Sequence, residues 1–275
     1  MSVPPFDLSR VGAVTEPVEY WVDRARLQAY ARAIGDDDTR HRSGDGANPV
    51  FHVVPATPAV GQALAGVVTA AGQGLLGEID VRSHRSPHPD AAVSTTASIV
   101  SIRNRSTGVV VSAYARSESA GELCAEQYIS LFYRGVQAEA DVGTPVTLPA
   151  APATDDTPDV GVETVFPADV TYRYSGVVGD RTAVHLDSRA ARAVGIPGII
   201  LHGTCTLAMV LESVCAAEDA ESEAVRRVAA RLDQWVTPSD RVTTDVFHED
   251  GRRVRFAARR QDGAAVLSRG VVEFA

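Results

Sequence analysis

A carboxylate and an imidazole stand five residues apart at Asp180 and His185, directly after Gly179, and His202-Gly203 follows at the entrance to an apolar, small-residue run. Two titratable groups near one another can share acid and base work on a single water. The amides of a helix's first turn have no intrahelical acceptor and lie at the positive end of the dipole, so a helix starting at Gly203 can receive an oxyanion. Carboxylate, imidazole and helix N-terminus together suit chemistry beside an activated carbonyl. Taken singly the features are weak, because Asp and His are common loop residues that cap turns and His-Gly is an ordinary helix entry. Only their combination between Tyr172 and Met209 is informative.

Other chemistries find less support. The chain has no lysine, all 26 cationic side chains being arginine, which excludes Schiff-base catalysis, a pyridoxal phosphate anchor and a P-loop. His84 and His88 lack further ligands at zinc-like spacing, so no metal is expected. Ser175 and Ser213 have no G-x-S-x-G context. No G-x-G-x-x-G follows a strand, so no nucleotide redox cofactor is indicated. Arg253, Arg255, Arg259 and Arg260 alternate on a strand pair; they can meet phosphates, but a solvated strand face is the simpler reading. Trp21 and Trp235 are read as packing residues.

The elements that must position this chemistry come in two sets. Gly35-Asp36 with His41 repeats the spacing of Gly179-Asp180 with His185, and GELCAEQYISLF from Gly121 matches GAAVLSRGVVEF from Gly263. Pro89-Asp90 before AAVSTTASI likewise parallels Pro238-Ser239-Asp240 before RVTTDVF. Three matches in one order, offset by about half the chain, point to a duplicated domain. The periodicity predicts a helix over 23–34 with Leu27, Tyr30, Ala31 and Ile34 on one face. Small-residue helices are expected over 58–71 and 204–217, with a short helical segment over 188–194. Strands are expected over 92–103, 108–117, 123–133, 241–248 and 253–260, with turns at 104–107, at Ala120-Gly121 and at Asp250-Gly251. Helices without a broad polar face are expected to be enclosed on most sides, as when an antiparallel sheet wraps around them. The segment 136–163, rich in Pro, Ala, Thr and Asp, shows no periodicity and reads as a linker, dividing the chain into 1–135 and 164–275. In the first copy, Asp36, Asp37 and Asp38 read as an exposed acidic turn.

A net charge of −9 with pI about 5.3 argues against general nucleic-acid binding. The start MSVPPFDLSR has no basic and then apolar pattern of a secretory signal. The run from Val194 to Val214 is interrupted by Pro197, Gly198, His202, Gly203 and Glu212, so a buried helix is expected rather than a membrane span. Cys124, Cys205 and Cys215 form no CxxC pair and read as reduced, buried thiols. A cytoplasmic location without membrane association is expected.

The stretch Gly179-Asp180-Arg181-Thr182-Ala183-Val184-His185, with Ile200-Leu201-His202-Gly203 downstream, resembles the MaoC-like (R)-specific enoyl-CoA hydratases and dehydratases in their double hot-dog form. Their hallmark is G-D-x-N-P-[LIV]-H followed by I-L-H-G before the central helix. FHVVPATPAVGQAL and EQYISLFYRG look like the degenerate N-terminal half, so the resemblance covers almost the whole chain. It implies an α+β fold of two antiparallel sheets, each wrapped around a long central helix and packed as a pseudo-dimer. The implied reaction is reversible hydration of trans-2-enoyl thioesters to (3R)-3-hydroxyacyl thioesters. By resemblance, Asp180 and His185 activate the water and exchange the proton with C2, the backbone N–H of Gly203 receives the thioester oxygen, and Thr182 and His202 contact substrate. The family's Asn and Pro are Thr182 and Ala183 here; Thr182 keeps one hydrogen bond but not the amide fork. No cofactor is implied beyond the CoA or phosphopantetheine that the substrate carries. The implied assembly is a homodimer, or else a hetero-oligomer. The alternatives are a dehydratase on carrier-protein thioesters, a non-catalytic subunit that binds acyl thioesters, and, less favoured, a hot-dog thioesterase.

Overall fold

The structure is a computed structural model that describes residues 4–151, 156–249 and 251–275. Along the chain run β1 (Val18–Val22), α1 (Arg24–Ile34), α2 (Thr39–Ser43), α3 (Val53–Val67), β2 (Leu75–Ser83), β3 (Ala91–Arg105), β4 (Gly108–Ser119), β5 (Glu122–Arg134) and β6 (Val142–Gly143). They continue with β7 (Val160–Val165), α4 (Val170–Val178), α5 (Ser188–Ala193), α6 (Gly203–Ala217), β8 (Val225–Leu232), β9 (Arg241–His248), β10 (Arg253–Arg260) and β11 (Ala265–Phe274). Two compact units emerge, one from residues up to 22 with 52–148, the other from 23–51 with 149–275. Residues 23–51, which the sequence groups with the first half, thus pack in the second unit, because α1 lies against α4 and α6 there.

Within the first unit the antiparallel strand order is β1-β3-β4-β5-β2, with β6 also on β3. Within the second it is β7-β9-β10-β11-β8, again antiparallel. The same topology twice agrees with the sequence repeat. The strands of the expected hairpins are long alternating runs, and Ala120 and Gly121 both take positive φ in the two-residue turn between β4 and β5, as the right-handed twist of the flanking strands favours. Asp250, in the other expected turn, lies outside the described residues; Gly251 has φ +78°. Helix α3 packs on β1, β3 and β4, and α6 on β7, β8 and β9. In α6 every residue from Cys205 to Leu211 is buried, so this helix is enclosed as its small, apolar composition requires.

Four sequence expectations need correction. Helix α3 starts at Val53, five residues earlier than expected, because Pro55 falls in the first turn, where its missing N–H costs nothing. The segment 136–163 contains β6 and the start of β7, whose Gly and Glu residues hide the strand pattern. Trp21 and Trp235 are 59% and 39% exposed rather than packed. The first copy's acidic turn is exposed only in part: Asp37 faces solvent and Asp38 is half-buried, but Asp36 is fully buried, as is His41. The run from Val194 breaks before α6, as expected from its Pro and Gly residues. Among the described residues one helical stretch, Pro49–Val67, is long and apolar enough to cross a membrane, and 61% of its apolar window is buried within the fold.

Asp36 and His41 form an ion cluster with Glu223, and with Asn48 they tie segment 23–51 to α6 and to the turn that follows it. Gly35 ends α1 in the left-handed region, delivering Asp36 to the interior. Its Oδ2 lies 2.6 Å from Nδ1 of His41, and Nε2 of His41 lies 3.1 Å from Glu223. Gly46 makes room, because a Cβ there would approach Glu223 to 2.8 Å and the His41 ring to 2.9 Å. Asn48 donates to Glu212 of α6 at 2.5 Å and accepts from the Val50 amide. Burial opposes charge on His41, but the bonds to Asp36 and Glu223 raise its pKa from 6.5 to about 10. Burial and then the repulsion of Asp36 raise that of Glu212 from 4.5 to about 7.

Both shifts make the folded state hold protons that the unfolded chain releases, so stability falls as pH rises. For Glu212 the loss runs between pH 4.5 and about 7; for His41 it is complete stabilisation below 6.5, lost on approach to 10. Chemical denaturation from pH 5 to 9.5 is expected to show a steady decline, with Glu212→Gln flattening its lower half. Asp36→Ala leaves the buried imidazolium with Glu223 as its one carboxylate and is expected to cost about 3 kcal/mol at pH 6.

Candidate active site

Every residue singled out for chemistry lies in the second unit. Helix α4 ends at Gly179, whose φ of +80° closes the helix through its amide to the Ser175 carbonyl at 2.9 Å, the left-handed cap that glycine favours. The chain therefore turns sharply at Asp180. Its carboxylate Oδ1 accepts from the Thr182 amide at 2.9 Å and from the Thr182 hydroxyl at 2.6 Å. A 3-10 turn, Ala183–His185, follows and presents His185. Asp187 caps α5 through the Arg189 amide, and the chain returns along Ile200, whose amide bonds the Val184 carbonyl. The Leu201 amide donates to Val236 at 2.8 Å, anchoring the approach to α6.

His202 is the N-cap of α6, but its side chain makes no cap hydrogen bond. The first-turn amides, Gly203 included, thus keep the unpaired donors that helix geometry leaves there. Nδ1 of His185 lies 2.8 Å from the Ile200 carbonyl. A carbonyl only accepts, so Nδ1 carries a proton, and in the neutral ring Nε2 presents a lone pair. Nε2 of His202 lies 3.2 Å from the main-chain carbonyl of Asp180 and 3.9 Å from its carboxylate. The His185 and His202 rings stack at 3.8 Å and 23°. Side-chain ligand atoms of Asp180, His185 and His202 all lie within 4.8 Å of one another. That spacing also admits a cation, although one nitrogen of each ring is already committed to a carbonyl.

The electrostatics differ sharply between these groups. Burial pushes the Asp180 carboxyl up, but the Thr182 hydroxyl and amide outweigh it and hold the pKa below the ordinary carboxylate range. Burial foremost, and then His185, lower the pKa of His202 to about 4. At neutral pH the site therefore holds an ionised Asp180 beside an uncharged His202.

The structure brings together Asp180, Thr182, His185, His202 and Gly203, with Thr182 bonded to Asp180. It adds three residues that the sequence reading did not place there. Tyr174 is fully buried and donates to the Thr204 hydroxyl at 2.9 Å, and the Ser175 hydroxyl donates to the Asp180 carbonyl at 2.6 Å. Tyr174 and Ser175 become visible only once α4 is known to end at Gly179, one turn beyond them. The other residues weighed lie elsewhere: His84 and His88 face Glu126 and Glu122 at the surface. Arg253, Arg255, Arg259 and Arg260 each pair with carboxylates, as a solvated strand face does. Cys124, Cys205 and Cys215 are free and buried.

Residues 140–267 match the family described as MaoC like domain. The likeness to the MaoC-like family is carried by these residues. It is 38% identical over 93 residues to Enoyl-CoA hydratase ChsH3 of Mycobacterium tuberculosis, an alignment taking in 33% of this chain and 32% of that one. It thus spans about a third of that relative's length. The solved MaoC-like dehydratase from Phytophthora capsici superposes with a TM-score of 0.83 at 20% identity, covering 98% of this chain and 99% of that one. A second Mycobacterium tuberculosis protein, whose structure is a double hot dog, superposes with a TM-score of 0.66 at 14% identity over 98% of each chain. The chain has the α+β double hot-dog fold.

Thr182→Val keeps the amide donor to Asp180 and removes the hydroxyl donor. The Asp180 pKa is expected to rise towards the ordinary carboxylate value, read by carboxyl 13C NMR titration. An unchanged pKa would show that the hydroxyl contributes nothing.

Proposed function

We propose that the protein is a hydro-lyase that adds water reversibly to trans-2-enoyl thioesters, giving (3R)-3-hydroxyacyl thioesters. The observation that carries this reading is the convergence, within one unit, of ionised Asp180, the Nε2 lone pair of His185 and the uncapped first turn of α6 at Gly203. In this reaction the water oxygen bonds to C3 while its proton passes to Nε2 of His185 and then to C2. Asp180 holds the water and offsets the charge that develops on the imidazole. The Gly203 amide donates to the thioester oxygen, where enolate charge builds as C3 is attacked. Thr182 takes over part of the family Asn's work by orienting the Asp180 carboxylate. The enoyl-CoA hydratase of Mycobacterium tuberculosis supports the same class of substrate.

Loss of enoyl-thioester absorbance with crotonyl-CoA and a longer trans-2-enoyl-CoA tests the proposal. Wild type is expected to turn over at least one, and Asp180→Ala to lose about 10²–10⁴-fold in kcat with its fold intact by circular dichroism. Turnover confined to an acyl carrier protein substrate would move the activity to carrier-bound thioesters. No turnover on either carrier would refute the hydro-lyase and favour a binding subunit.

A further inference from the structure

We propose that His202 is a positioning residue that acts through the two reacting groups, its ring holding the plane of His185 and its Nε2–H holding the main chain of Asp180. This rests on the hydro-lyase reading and assigns His202 a different task from the substrate contact that the family resemblance implies.

The ring has no face to offer a substrate. His202 is only 3% exposed. One face is covered by His185 at 3.8 Å, and the Tyr174 ring lies against it at 5.2 Å and 46°. Behind Tyr174 stands Tyr30 at 5.6 Å, and behind Tyr30 stands Phe51 at 5.0 Å. Five rings thus form a row from the interior of the second unit to the site, supplied by α1, the segment after α2, α4, the α6 cap and the turn 183–185. Of the five, only His185, the last, is not fully packed away. Its orientation is set by two contacts, the stack on His202 and the Nδ1 bond to Ile200.

The second contact of His202 serves Asp180. The Asp180 carbonyl accepts both Nε2 of His202, at 3.2 Å, and the Ser175 hydroxyl. With that peptide held twice and the carboxylate held by Thr182, the side chain has little freedom to swing. Nδ1 of His202 is buried without a hydrogen-bond partner among the described residues, which agrees with a lone pair there and the proton on Nε2. The absence of charge has a use. A cation stacked at this distance would oppose the charge His185 gains when it takes a proton, whereas a neutral ring holds it without that penalty. Displacing reacting groups by about 1 Å can cost about 10²-fold in rate, so both contacts bear on kcat rather than on affinity.

The test uses the full chain with His202→Phe, which keeps a stacking ring and loses the donor, and His202→Gln, which keeps an amide donor and loses the ring. Each is expected to lower kcat for crotonyl-CoA by about 10-fold or more, with KM within about 2-fold of wild type. A raised KM at unchanged kcat would make His202 a substrate contact and overturn the proposal, as would unchanged kinetics. Imidazole 15N NMR of the wild type supplies an arm that needs no turnover. From pH 8 to 6, His202 is expected as a neutral Nε2–H ring and His185 with Nδ1 protonated; in His202→Gln the His185 signals should average between tautomers. A protonated or Nδ1–H His202, or an unaltered His185 in that variant, would overturn the positioning role. A wild type inactive on every thioester would refute the hydro-lyase reading alone.

Discussion

Helix α6 must be buried along most of its length and still begin with amides that donate to no capping side chain. Small and apolar side chains from Cys205 to Leu211 satisfy the first demand, with β7, β8 and β9 closing around them. The second depends on the N-cap. Ser, Thr, Asp or Asn at this position would turn its side-chain oxygen onto the first-turn amides and occupy one of them. His202 caps with its backbone alone and sends its ring away from the helix, towards Asp180 and His185. The site exists because this helix start is left chemically open.

The same local signature serves two ends in one chain. At both Gly35-Asp36 and Gly179-Asp180 a helix closes on a left-handed glycine and the acid follows the turn. Asp36 then meets His41 directly, at 2.6 Å, with Glu223 on the far side of the ring and Gly46 letting the groups close up. That pair is sealed and charged, and it works as a clamp between segment 23–51 and the 3-10 turn Ser222–Ala224 that follows α6. Asp180 instead turns its carboxylate onto Thr182 and stays about half exposed, while His185 finds a carbonyl and a neighbouring ring. What separates the two is the company around the imidazole. Carboxylates on both nitrogens make a permanent cation, whereas a carbonyl on one nitrogen leaves the other free to take a proton and return it.

Much of this was legible in the sequence because it depends on local rules. The hairpins β3-β4-β5 and β9-β10, the helix α1 with its Asp23 cap and the apolar character of α6 follow from periodicity and turn residues. The convergence of Asp180, His185 and His202-Gly203 followed from spacing joined to the family pattern. What escaped depends on distant partners. Nothing between Ala33 and Ser43 tells that Glu223, some 180 residues away, will neutralise His41 and make burial tolerable. Strand β7 escaped because Gly161 and Glu163 dilute its alternation, and its place comes from pairing with β9. Tyr174 is an aromatic like any other until Thr204 and His202 are seen beside it.

Two histidines of one unit are therefore driven in opposite directions by the same burial. Desolvation alone disfavours charge on both. At His41, two carboxylates overturn it; at His202, a carbonyl dipole is too weak and a second histidine adds to it. The first outcome produces rigidity, since the clamp holds only while the ring is charged. The second leaves a buried, uncharged ring stacked on His185, the group that takes up and releases a proton in the proposed reaction. A base that must gain and lose a proton in each cycle is better held by an uncharged ring than by an ion pair, because a carboxylate at hydrogen-bond distance on its free nitrogen would keep the proton it is meant to pass on.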